Sequence, residues 1–250
     1  MEECKPSKTP IDAKLYDENT EGTCIVDEKP YRQLIGYLMY LMLTTRPDLS
    51  VAVNYYSRYQ SNATEEQWRG LKRILRYIKG TLDYGLFYER SSKKEVLVSY
   101  ADANWATDRD RKSTSGYIIE VYGAVVHWTT RKQTSVALSS TEAEYVALAT
   151  AATELIWLKE LLDDMGVKIE IPVVMFEDNQ SVIYLLDKWE HKRLKHVDVK
   201  YNFVRDLCMN GIVDVKYVPT DNQKADIMTK GLSHGKFVEF RTSLNIVNSF

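Results

Sequence analysis

The chain has 250 residues, enough to bury a substantial core and to form one or two domains. Its 33 Lys plus Arg nearly balance 35 Asp plus Glu, which excludes a uniformly cationic surface, so any nucleic-acid affinity must come from local basic patches. Cys4, Cys24 and Cys208 are widely spaced and odd in number; they leave no Cys-x-x-Cys pair for zinc or redox chemistry and fit a reducing compartment.

Residues 1 to about 30 are rich in Pro, Thr, Asp, Glu and Lys without a sustained apolar period, and read as an extended lead segment with no apolar leader. From Tyr31 the pattern turns helical: Tyr31 to Leu43, then Pro47 to Tyr59, then Thr64 to Lys79, with Gly80 as the stop. The apolar run around Tyr37 to Leu43 is too short to span a bilayer, so no membrane partner is expected. In the third helix Trp68, Leu71, Leu75 and Ile78 form one stripe, while Arg69, Lys72, Arg73 and Arg76 form a basic ridge. That ridge is either an ordinary solvated face or a surface that tracks a phosphate backbone.

A short strand, Tyr84 to Tyr88, precedes the polar run from Glu89 to Glu95, where a domain boundary is expected. Beyond it come strands over Val96 to Ala103, Gly116 to Val121 and Ala124 to Thr130, and a long helix over Thr141 to Met165. A strand (Ile171 to Glu177), helices (Gln180 to Asp187, His196 to Asn210), a strand (Ile212 to Val218) and a terminal helical segment complete the pattern. Hairpin strands followed by β-α units imply an α/β fold, a mixed sheet with helices packed on it.

Four acids stand at the edges of these elements: Asp102, Glu144, Asp178 and Asp226. Asp102 shares strand parity with Val96, Val98 and Tyr100, and Asp178 shares it with Val174 and Phe176, whereas Glu177 points the other way. On the long helix Glu144 falls in phase with Leu148, Ala151, Leu155 and Leu158, the stripe expected to face the sheet; Glu142 does not. Both Thr141-x-x-Glu144 and Ser139-x-x-Glu142 have capping-box spacing, and if Glu142 is the cap then Glu144 is free for metal. Asp226 is either a site carboxylate or a plain helix cap. Carboxylates gathered in a partly dry site repel one another unless a divalent cation compensates them.

The blocks Tyr31 to Tyr40, Thr45-Arg-Pro-Asp48, Leu71 to Thr81, Asp110-Arg-Lys-Ser-Thr-Ser-Gly-Tyr117, Ser139 to Tyr145, Glu177-Asp-Asn-Gln180, Lys195 to Tyr201 and Ala225 to Lys230 resemble the carboxy-terminal part of the Pol polyprotein of Copia-type LTR retrotransposons. The resemblance implies a helical reverse-transcriptase tail of thumb or connection type over residues 31–90. It further implies an RNase H-like domain over residues 92–250, with a mixed five-stranded sheet and flanking helices. It assigns metal binding and catalysis to Asp102, Glu144, Asp178 and Asp226, holding two Mg²⁺ ions, with Mn²⁺ an alternative. The implied activity is hydrolysis of the RNA strand of RNA–DNA hybrids during reverse transcription. The implied partners are the hybrid and the palm and fingers of the same polyprotein, in a cytoplasmic virus-like particle or in the nucleus.

Two departures qualify this expectation. The paired-Asp polymerase motif is absent, so the chain is expected to be a truncated or separately expressed piece that does not synthesise DNA. No His lies between Tyr217 and Asp226, where many RNase H enzymes carry a mobile one, so proton transfer falls to water or a neighbour such as Asp221. Phosphate contacts are expected from Arg109, Arg111, Lys112, Arg131, Lys132, Lys195 and the ridge of the third helix, and minor-groove contacts from Asn179 and Gln180. His196 is either a substrate-orienting group or a satisfied helix-start residue. A noncatalytic binding or subunit-interaction module is the competing reading, and an integrase-like site is disfavoured because Glu comes second among the acids rather than last.

Overall fold

The computed structural model describes residues 1, 3–13, 28–89, 96–108, 110–187 and 198–248, the side chains of 198–201 excepted. They form two units: Met1–Tyr88 together with Lys230–Phe250, and Glu89–Thr229.

The first unit is built on helices α1 (Lys29–Thr44), α2 (Ser50–Ser57) and α3 (Glu65–Lys79), with a 3₁₀ turn at Pro47–Leu49. Helix α3 starts where sequence places it, because the Gln67 side chain accepts the Thr64 backbone N–H at 2.9 Å in a capping box. Its buried stripe is Gln67, Gly70, Leu71, Ile74 and Tyr77, rotated from the expected Trp68, Leu71, Leu75 and Ile78. The cause lies at Gly70: a Cβ there would fall 2.1 Å from Tyr56 Cζ, so the missing side chain admits the α2 ring and fixes the helix phase. Beneath it, Arg46 makes a two-pronged contact with Asp48 at 2.9 and 2.8 Å, and Tyr77 donates to the same carboxylate at 2.6 Å. The carboxy-terminal residues belong here too. Strand β7 (Ile246–Asn248) pairs antiparallel with β1 (Tyr84–Leu86), and from α7 (His234–Ser243) Phe237 meets the Tyr77 ring edge-on while Arg241 donates to its hydroxyl at 3.2 Å. By compactness the second unit runs from Glu89 to Thr229.

The second unit contains strands β2 (Leu97–Asn104), β3 (Thr114–Val121), β4 (Ala124–Lys132), β5 (Val173–Glu177) and β6 (Val213–Tyr217), and helices α4 (Ser140–Asp164), α5 (Gln180–Asp187) and α6 (Asp198–Met209). The strand order is β4-β3-β2-β5-β6, with β2, β3 and β4 antiparallel and β5 and β6 parallel to β2. This is the mixed five-stranded sheet with flanking helices expected of an RNase H-like domain.

Helix α4 packs on β2 and β3. The core beneath it includes Leu97, Ala101, Tyr145, Leu148, Leu155 and Met175, all buried. Leu97, Ser99, Ala101 and Ala103 form the buried parity of β2, so the helix lies on small side chains, while Val98 and Tyr100 are half-buried on the other face. Onto β2 and β3 also packs a 3₁₀ turn, Lys224–Met228. Among the described residues no helix is long and apolar enough to cross a membrane.

Candidate metal centre

Asp102 occupies the sixth position of β2, Glu144 the first turns of α4, and Asp178 the residue after β5. Each offers one carboxylate oxygen, and these oxygens all lie within 4.8 Å of one another. Asp102 is fully buried and Glu144 is 7% exposed. Three hard oxygen donors from three elements form a set able to hold a divalent ion of the Mg²⁺ or Mn²⁺ class, and among the described residues no thiolate or imidazole joins this cluster.

The local folding explains each placement. Ser139 caps α4 by accepting the Glu142 N–H at 3.1 Å, and the Glu142 carboxylate turns back to accept the Leu138 N–H at 2.8 Å. Glu142 is thus the capping acid, and Glu144, two residues on, lies among the buried positions of the helix. Thr220 donates to Asp178 Oδ2 at 2.7 Å and so ties the loop after β6 to the end of β5. Thr229 donates through its hydroxyl to Asp102 Oδ2.

Asp226 is 95% buried on the 224–228 turn, but it is not one of the three clustered carboxylates. Its turn is fastened to the sheet: Gln223 Nε2 donates to the Ala101 carbonyl at 2.8 Å, and Lys224 pairs with buried Glu120 while lying over the Tyr100 ring. Gln223, Lys224, Thr220 and Thr229 escaped the sequence reading; the signal for them is their spacing around Asp226, which appears only once β6 is known to run beside β5.

The expected cationic contacts meet varied fates. Lys132 lies 2.9 Å from both Asp108 and Asp110. Burial alone would push the Asp110 carboxyl up, yet the hydrogen bonds from Lys132 and from the Lys112 N–H hold it below its ordinary value. Arg131 and Lys132 line a cavity of about 200 Å³ with Ser115 and Gln133. Arg111 is exposed with φ of 60°, and Lys112 is half-buried beside it. Asn179 caps α5, accepting the Ser181 N–H at 2.9 Å, and exposed Gln180 borders a cavity of about 600 Å³ whose lining includes none of the four acids. Arg109, Lys195 and His196 lie outside the described residues.

On α3, Arg73 donates to Thr9 and Asp12, Arg76 to the Lys5 carbonyl at 2.7 Å, and Lys72 lies over the Trp68 ring, leaving Arg69 exposed. Half of the basic ridge therefore anchors the lead segment, whose Thr9, Pro10 and Ile11 are buried.

No family model matches the chain. The retrovirus-related Pol polyprotein from transposon RE2 of Arabidopsis thaliana is 38% identical over 245 residues, covering 97% of this chain and 17% of that protein. Secreted RxLR effector protein 161 of Plasmopara viticola is 48% identical over 130 residues, 52% of this chain and 91% of that protein. LC11-RNase H1, isolated from compost, overlaps 54% of this chain and 93% of its own at 18% identity and a TM-score of 0.43, too slight an overlap to bear on function. The chain spans about a sixth of the length of the Pol polyproteins it matches. Similarity along nearly its whole length makes the chain a homologue of the retrovirus-related Pol polyproteins of Copia-type LTR retrotransposons.

Proposed function

We propose that the second unit is an RNase H-type endoribonuclease that cuts the RNA strand of RNA–DNA hybrids in retrotransposon reverse transcription, and that the first unit is the end of the reverse transcriptase. The observation that carries this reading is the convergence of Asp102, Glu144 and Asp178 within 4.8 Å. These three would hold Mg²⁺, or Mn²⁺, and Asp226 would complete the set from the turn strapped beside them. The chemistry such an ion supplies is polarisation of a phosphoryl oxygen and a lowered pKa for bound water.

The protein's own part is positional. Thr220 and Thr229 fix two of the carboxylates from outside the cluster. Exposed Arg111 and Arg131 flank the β2–β3 and β4 ends, where they would meet backbone phosphates, and Gln180 stands two residues beyond Asp178. The palm and fingers of the same polyprotein are the proposed partner of the first unit.

A second reading, a binding module without hydrolysis, draws on one observation: Asp226 is outside the three-carboxylate cluster. Incubating purified protein with a labelled RNA–DNA hybrid and Mg²⁺ separates the two. Cleavage by the wild type and by Glu142→Gln, lost in Asp102→Asn and Glu144→Gln, is the expected pattern. Binding of the hybrid with no cleavage by the wild type leaves the module.

A further inference from the structure

Asp102, Gly116 and Thr130 stand directly opposite one another on β2, β3 and β4. Directly opposed residues share a face of the sheet, so these three form a line across it. The middle position has no side chain, and the chain of Met228 and Thr229 lies in the gap: a Cβ on Gly116 would fall 2.6 Å from both Met228 Cβ and Thr229 Cγ2. Three side-chain hydrogen bonds hold this strap in place. Thr130 Oγ1 donates to the Met228 carbonyl at 2.6 Å, Asn104 Nδ2 to the Thr229 carbonyl at 3.2 Å, and Gln223 Nε2 to the Ala101 carbonyl at 2.8 Å. The strap delivers one polar group to the acids, the hydroxyl of fully buried Thr229, bonded to Asp102 Oδ2 with the Asp226 carbonyl a second acceptor at 3.3 Å.

We infer that Thr229 is a positioning residue for the metal centre: its hydroxyl fixes the Asp102 carboxylate from behind so that the other oxygen is presented to the cluster. Gly116 is the notch that lets it do so. The inference rests on the reading of Asp102, Glu144 and Asp178 as a metal site and adds a group outside that set. A carboxylate with one oxygen held by a hydroxyl keeps a single rotamer when the ion leaves, whereas a released one must be ordered again at each binding event. Outer-shell partners of this kind change metal affinity about 10- to 100-fold when removed.

The test uses the full chain and Mn²⁺ as the probe, with binding followed by electron paramagnetic resonance and folding by circular dichroism and urea unfolding. Thr229→Val, close in shape and lacking the hydroxyl, is expected to weaken Mn²⁺ binding at least ~10-fold, and Thr229→Ser to restore most of it. Unchanged affinity in Thr229→Val overturns the role of Thr229 and leaves the carboxylate centre standing. Equal weakening in Val and Ser also overturns it, because a retained hydroxyl would then confer no advantage and general disturbance of the strap would be the cause. No Mn²⁺ binding by the wild type overturns the metal reading and this inference with it. Should Thr229→Val not fold, Thr229→Ala and Thr229→Ser are compared by the same criterion.

Discussion

Replacing Asp102 by Asn should make the metal-free protein more stable, the reverse of what deleting a buried, hydrogen-bonded side chain normally does. The three site oxygens lie within 4.8 Å of one another, and Asp102 takes part in two of the three pairs. At an effective dielectric of about 20, two unit charges at that distance repel by roughly 3 kcal/mol. Asp178 is half-exposed, so solvent reduces its share. The Thr229 hydrogen bond to a charged acceptor, worth roughly 1.5–3 kcal/mol, offsets more of the repulsion in the wild type. Asparagine keeps an oxygen for that hydroxyl and removes both repulsions. A net gain of about 2 kcal/mol follows, or a Tm higher by about 4–8 °C for a chain of this size. Differential scanning fluorimetry in EDTA reads it directly. Mg²⁺ should then reverse the ranking: at about a hundred times its Kd an ion stabilises the wild type by about 2.7 kcal/mol, more than the substitution gains, and Asp102→Asn should respond far less. A variant that melts at or below the wild-type temperature in EDTA, or that gains as much from Mg²⁺, would refute the reasoning.

Gly116→Val should push the strap off the sheet, costing about 1–3 kcal/mol of overpacking and speeding amide exchange across residues 223–229, measured by urea unfolding and hydrogen exchange. In the first unit, Asp48→Ala strands the buried Arg46 guanidinium and should cost about 3–5 kcal/mol in chemical denaturation, whereas the exposed pair Arg32–Glu28 should be nearly silent on Arg32→Ala. Burial pushes the hydroxyls of Tyr31, Tyr56, Tyr77 and Tyr117 well above the ordinary tyrosine value. Their contribution is therefore intact below the unfolded pKa of about 10 and is lost as pH rises from there towards the folded values. Tyrosinate absorbance from these rings should appear together with loss of circular dichroism above pH ~10, and ionisation well ahead of unfolding would contradict it.

Asp102 and Glu144 could be placed from the sequence because each sits in an element whose period is strong. Strand parity groups Asp102 with Val98 and Tyr100, and helical phase separates Glu144 from Glu142; both hold in the structure. Parity does not reveal which face a helix will cover. The large residues Val98 and Tyr100 look like the core side, yet α4 lies on Ser99, Ala101 and Ala103, whose small size lets the helix approach closely. The opposite face is left to a chain segment with no period at all, the 3₁₀ turn at Lys224–Met228. Likewise β7 is three residues long and pairs with a strand more than 150 positions earlier, a contact that no local pattern encodes. The basic ridge of α3 shows the same limit: its spacing is visible, but that Arg73 and Arg76 hold the lead segment depends on where that segment returns.

These cases share a physical cause. A side chain's face follows from torsions within its own element, which sequence periodicity records, whereas its partner follows from close approach of distant backbones. In this chain the approaches that matter are marked by missing side chains. Gly70 admits Tyr56 and sets the phase of α3; Gly116 admits Met228 and Thr229 and brings a hydroxyl to Asp102. Neither glycine sits at a turn or has a left-handed backbone, so neither is needed for conformational freedom. A glycine inside a strand costs stability relative to a larger residue and marks a place where another backbone comes close. Its position directly across from Asp102 was therefore a readable sign that something packs against the site from that side, although not of which residue does.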